Sequence, residues 1–144
     1  MIEPRVMDAK RAAKDNSNFR KVLFTGTRTQ LVVMALLPSE EIGAEVHDAV
    51  DQLLYVVTGE GVAVIGDAEE PLGKGAMFCV PAGTTHNLIN TGTEPLKLLT
   101  VYSPPQHAAG TVHATKMEAD AAEKEHLAKP DSHALPPISR ANAA

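Results

Sequence analysis

The stretch that decides the fold is GAMFCVPAGTTHNLIN, residues 75–90. Two short runs, AMFCVP and THNLIN, have the apolar, β-prone texture of strands, and Pro81 and Gly83 form a turn that interrupts the ladder between them. His86 then stands near the start of the second strand and shares a face with Leu88 and Asn90, because side chains two residues apart in a strand point the same way.

Outward from this hairpin the same texture continues. From Phe19 onward, short runs of Val, Leu, Ile and Thr are separated by Gly, Pro, Asn and Asp. Further strands are expected near FRKVLFTG, TQLVVMALL, EVHDAV, QLLYVVTG, GVAVIG and LKLLTVYS, which makes eight in all. Gly59 with Gly61, the pair Gly66-Asp67, and LGKG mark hairpin turns. Eight strands without a strong helix between them predict an all-β antiparallel sandwich or barrel. DAKRAAK before it favours a short N-terminal helix, and MEADAAEKEHLAK after it a C-terminal helix. PDSHALPPISRANAA, with few large apolar groups, reads as a disordered tail or an arm on a partner. The expected organisation is an N-terminal extension over 1–18, a β-domain over 19–116 and a helical or disordered tail over 117–144.

A chain of 144 residues suits one domain. No stretch approaches the ~20 apolar residues of a membrane-spanning helix, and the N-terminus lacks the apolar centre of a secretory signal, so a soluble, cytoplasmic protein is expected. The net charge of -5 argues against nucleic acid as a partner. No Lys or Arg occurs from Thr29 to Gly73, so the barrel strands are expected to supply no cation for a phosphate, leaving Arg28, Lys74, Lys97 and later segments. The single cysteine, Cys79, cannot form an internal disulfide and is read as a buried thiol.

A second constellation lies upstream in EVHDAVDQ, residues 45–52. In a strand Glu45 and His47 share a face, setting a carboxylate beside an imidazole. The alternation Gln52, Leu54, Val56 directs the Gln52 amide towards the barrel. Were these strands neighbours of the one carrying His86, the two histidines would approach each other; spacing alone leaves that adjacency open.

The series Gly75, Pro81, Gly83, His86, Asn90 matches the second motif of the cupin family at every position. The first motif resembles EIGAEVHDAVDQLLYVVTG, with Glu45 where a histidine is usual, His47 at the second histidine, Gln52 at the usual glutamate and Gly59 closing it. The resemblance spans about 31–102, and HNLINTGTEPLKLLTVYSPP followed by GTVHATK extends it to 116 in the manner of small single-domain bacterial cupins. It implies a double-stranded β-helix, the cupin jelly roll, holding one divalent metal ion per chain. Carried over, the ligands are Glu45, His47, Gln52 and His86, and the ion is Fe, Mn, Ni or Zn. Two imidazoles and a carboxylate form a set that leaves open positions on Fe(II), with the Gln52 carbonyl as a weaker fourth donor. Open positions imply a small-molecule ligand or substrate, with dioxygenase-type chemistry or Lewis-acid isomerisation or hydrolysis. The alternatives are a metal-free small-ligand-binding or sensor cupin and a phosphosugar isomerase-like cupin. Small cupins often pair through an N-terminal strand, so a homodimer through KVLFTG is expected.

Each of these residues also has a plain structural reading. His86 and His47 could be satisfied core histidines, Glu45 a rim carboxylate facing water, and Gln52 an amide bridging strands. His107 and His113 are read as surface-loop histidines, the alternative being contacts over the pocket mouth. His126 and His133 are assigned no role, and Asn90 is a strand-end residue. Tyr55, Phe78 and Tyr102 are read as core or interface, in a pocket lined by aliphatic groups such as Val33, Leu54, Val56, Val64 and Leu88.

Overall fold

Two antiparallel sheets face one another across an apolar interior. The computed structural model describes residues 2–128. Helix α1 (Ala9–Asp15) leads into β1 (Arg20–Thr25), β2 (Gln30–Leu36), β3 (Asp51–Thr58), β4 (Gly61–Ile65), β5 (Ala68–Leu72), β6 (Met77–Val80), β7 (His86–Asn90), β8 (Leu96–Ser103) and β9 (Val112–His113), followed by α2 (Lys116–Ala128). One sheet runs β6-β3-β8-β2-β1-β9, the other β5-β4-β7.

Alternation along the strands sets the interior. In β8, Leu96, Leu98, Thr100 and Tyr102 are buried while the residues between them are partly exposed. Antiparallel register aligns these with partners on the same face and so builds rows. Gln30, Tyr102, Gln52 and Val80 lie opposite one another across four strands. The next row is Val32, Thr100, Leu54 and Phe78. Polar groups sit in both rows, which places the functional site against the inner face of the larger sheet.

That sheet is also buried behind. Ala13 of α1 packs on Val33 and Val57, with Leu23, Tyr55 and Leu99 around them. This is why QLVVMAL reads as a nearly unbroken apolar run rather than an alternating one. Asp8 caps the helix, its Oδ1 accepting from the Arg11 N–H at 3.0 Å.

Several expectations change. No strand forms over EVHDAV; Glu45 makes a single bridge with His86 and the chain then turns. β5 was not anticipated because AEEPL is acidic, mostly exposed and contains Pro71, and it exists as an edge partner of β4. β9, two residues long, depends on pairing with Arg20 and Lys21. Cys79 is exposed, because Phe78 and Val80 take the inner face of β6. Val33 and Val64 do not line the interior: Val33 lies under α1, and β4 turns Ala63 inward in place of Val64. Leu54, Val56 and Leu88 belong to the core as expected. The C-terminal tail from 129, His133 included, lies outside the described residues, as does the side chain of His126.

Candidate metal centre

The backbone brings the two motifs together without a regular ladder. Glu45 and His86 exchange both hydrogen bonds, N–H to carbonyl, at 2.9 Å each. Two residues on, the His47 carbonyl accepts from the Gly83 N–H at 2.8 Å, and the Asp51 carboxylate accepts from the Ala82 N–H at 2.9 Å. Gly83 has φ +85°, a left-handed conformation that a residue with a Cβ adopts at a cost. The Pro81–Gly83 turn thus clamps one motif onto the other, and Glu45 and His47 are held beside His86 from a stretch that is not a strand.

The side chains converge. Glu45 Oε1 lies 3.6 Å from His47 Nε2 and 3.9 Å from His86 Nε2, and one donor atom from each of the three falls within 4.8 Å of the others. Gln52 Oε1 lies 3.1 Å from His86 Nε2. The hydrogen bonds around this group fix what faces what. His86 Nδ1 is 2.9 Å from the Thr84 carbonyl, which can only accept, so Nδ1 carries a proton and Nε2 is the nitrogen that faces the cluster. The Gln52 amide donates to Thr100 Oγ1 at 3.0 Å, turning Oε1 towards His86. Nε2 and the amide oxygen therefore point at the same space.

His47 sharpens the point, for it is 5% exposed and neither ring nitrogen has a hydrogen-bond partner. Each such orphan costs about 1–3 kcal/mol when buried. Four groups able to donate a lone pair, converging in one place, suit a cation. The donor set fits a divalent ion, with two imidazoles, one carboxylate and one amide oxygen as its candidate ligands. Glu45 is partly exposed, which fits a rim position, and it faces the histidines as well. Gln52 likewise bridges strands through Thr100 and aims its oxygen inward.

Four neighbours surround these donors; Thr100 and Arg20 were missed from sequence, while Tyr102 lies in the core as expected. Thr100 orients Gln52. Tyr102 meets His47 edge-on, ring centroids 6.1 Å apart, and burial pushes its phenol well above the usual range; Arg20 beside it opposes that rise and Glu45 adds to it. His107 packs edge-on against Tyr102 at 5.1 Å. It is a loop residue, but half-buried, with Nε2 closed off from water: buried Gln30 accepts from the N–H groups of Gln106 and His107 and donates to the His107 carbonyl at 2.7 Å, stapling the loop over the sheet. Burial, with Arg20 and then His47 and His113 adding to it, lowers the His107 pKa to about 3. His113, half-buried at 3.4 Å from Arg20, is lowered too, by burial and by that guanidinium.

The fourth is Arg20. The expectation of a barrel without its own cation fails here, because Arg20 shares the inner face of β1 with Val22 and is 5% exposed. It precedes the Lys- and Arg-free stretch, and only the pairing of β1 with β2 carries it inside. Asn90 is structural: its Nδ2 donates to the Leu36 and Glu94 carbonyls and its Oδ1 accepts from Gly92.

Comparison with known proteins agrees with this architecture. The family model described as a cupin domain matches residues 32–102. The uncharacterised protein YrkC of Bacillus subtilis is 44% identical over 127 residues, covering 84% of this chain and 68% of that one. The crystal structure of BH2720 from Bacillus halodurans superposes with a TM-score of 0.82 at 40% identity, covering 83% of this chain and 95% of that one. A shorter match, 29% identical over 68 residues, is to the oxalate-binding protein of Thermotoga maritima, covering 47% of this chain and 56% of that one. With its two antiparallel sheets, its intact second motif around His86 and relatives that align along most of its length, this chain belongs to the cupin family.

Proposed function

We propose that this chain is a metal-binding cupin acting on a small molecule, with His47, His86, Glu45 and Gln52 as the ligands of one divalent ion, Fe, Mn, Ni or Zn. The observation that carries the reading is the convergence of four lone-pair donors around His47, whose two ring nitrogens are buried and unpartnered. Such an ion would supply Lewis-acid polarisation of a ligand oxygen or, as iron, redox chemistry. The chain itself does the rest. Thr84 fixes the His86 tautomer and Thr100 the face of the Gln52 amide, so two donors are oriented before any ion arrives. Tyr102 stays a neutral phenol and His107 a neutral imidazole, so neither sets a charge of its own against a bound cation. Leu54, Val56 and Leu88 keep water from the inner side of the site.

The test is elemental analysis of protein purified without added metal or chelator. Near-stoichiometric metal is expected in the wild type, with loss in His86→Ala and in His47→Ala. Protein that stays empty when offered Fe(II), Mn(II), Ni(II) or Zn(II) would leave a metal-free ligand-binding cupin. The proposal includes a cytoplasmic homodimer that pairs through β1. Here β9 pairs with Arg20 and Lys21 on that strand's outer edge and the Thr111 carbonyl accepts from the Val22 N–H, and a monomer by solution scattering would remove the pairing.

A further inference from the structure

A cleft of about 420 Å³ opens between the mouth of the barrel and α2, and its wall includes Arg20, Ile42, Glu45, Lys116 and Ala119. Glu45, one of the converging donors, stands in that wall, while His47 and His86 lie behind it, buried. Arg20 is the unusual member. It is 95% buried by virtue of its 5% exposure, its Nε has no hydrogen-bond partner, and no carboxylate pairs with it among the described residues. One guanidinium nitrogen, Nη1, meets His113 Nδ1 at the long distance of 3.4 Å.

A buried, unpaired guanidinium is costly unless something compensates it. Its neighbours offer no charge to balance it: Phe19 presents a ring face 5.4 Å away, the Tyr102 phenol a neutral hydrogen-bond partner, and His107 a neutral imidazole. What is absent is an anion with two oxygens for a planar fork of donors.

We propose that Arg20 binds the carboxylate of a small organic acid in this cleft, whose other oxygen donor reaches the centre at Glu45, His47 and His86. The proposal rests on the metal-binding reading above and names the class of ligand for that site. Charge selects carboxylate over phosphate. The cleft's three cationic side chains, Arg20, Lys116 and Lys124, are balanced by Glu45, Asp120 and Glu123, and Lys116 is already paired to Asp120 at 3.0 Å. That leaves Arg20 and the exposed Lys124, so a phosphate dianion would meet those acids with a single buried cation to hold it. A monoanionic carboxylate matches the fork in charge and in geometry. Ile42 and Ala119 suit a short apolar body.

The test uses the full-length protein as purified, with metal content and ligand binding measured on the same samples. Pyruvate, acetate and inorganic phosphate are titrated calorimetrically into the wild type, Arg20→Gln and Arg20→Lys. Pyruvate is expected to bind the wild type, acetate, which lacks a second oxygen donor, to bind more weakly, and phosphate not to bind. Arg20→Gln should weaken the carboxylates by about 10- to 100-fold, the loss of a charge-assisted pair. Arg20→Lys, which keeps the charge and loses the fork, should fall between, with metal content unchanged in both. Should Arg20→Gln fail to fold by circular dichroism, Arg20→Lys carries the comparison. Carboxylate binding equal in wild type and the folded variants overturns the proposal, as does phosphate binding as tightly as pyruvate, or a metal-loaded wild type that takes no carboxylate. Carboxylate binding that depends on Arg20 in a protein without metal would support this role while sinking the metal reading.

Discussion

Gln52 is one side chain with two tasks, and Thr100 is what separates them. By accepting from the amide nitrogen at 3.0 Å, the Thr100 hydroxyl commits the amide oxygen to His86. Thr100→Val keeps the shape and removes the acceptor, leaving the amide free to turn. Loss of such an orienting partner lowers metal affinity by roughly 10- to 100-fold. A competition titration with a chelator indicator reads this directly, and an unchanged affinity would show that Gln52 is not a ligand. At this scale His86 and His47 were legible because a spaced motif held them. Thr100 and Arg20 were not, since nothing in a threonine or arginine on a strand says which partner the sheet will set beside it.

Between elements, the Pro81–Gly83 turn does what a strand over EVHDAV was expected to do. It holds His47 by a single backbone hydrogen bond from Gly83, and the left-handed φ of +85° is what aims that N–H. A Cβ at Gly83 would meet nothing within 4 Å, so Gly83→Ala tests conformation alone. Its expected cost is about 1–2 kcal/mol. Gly73→Ala, equally open and without a positive φ, should leave stability unchanged or slightly raised. Urea unfolding midpoints compare the two, and a Gly83→Ala protein as stable as wild type would rule the conformational argument out. The strand expectation failed for a related reason. Glu45 and His47 do share a face, but Asp48 and Ala49 turn the chain where a ladder would have continued. β5 shows the reverse, an acidic, Pro-containing segment recruited as a strand because β4 offered an edge.

For the whole molecule, the half-buried loop histidine His107 sets a dependence on acid. His107 is lowered from 6.5 to about 3 in the folded chain, so between those values the unfolded chain binds the proton that the fold excludes. Its contribution to stability is therefore fully present above about pH 6.5 and is lost as pH falls towards 3. The melting temperature of the wild type should drop through that window. His107→Phe, which keeps an edge against Tyr102 and cannot titrate, should show a shallower drop. Parallel curves for the two proteins would mean that the acid sensitivity lies elsewhere. The staple that buries His107 is Gln30, a residue 77 positions away in the chain, which is why a loop reading was natural from sequence.

What the sequence determined by itself was local or periodic: the strand-and-turn rhythm, the short helix over Ala9–Asp15, and the Pro81, Gly83, His86 motif with its counterpart at His47. Alternation of apolar residues and the conformational habits of glycine and proline act within a few residues, so they can be read in one dimension. Only the tertiary structure decided which face each strand turned inward, and with it the exposure of Cys79, the outward packing of Val33 under α1, the pairing of Gln52 with Thr100, the burial of Arg20 and the stapling of His107 against Tyr102. Those outcomes depend on register between strands far apart in the chain, where a shift of one residue reverses every side chain, and on what a neighbouring element covers.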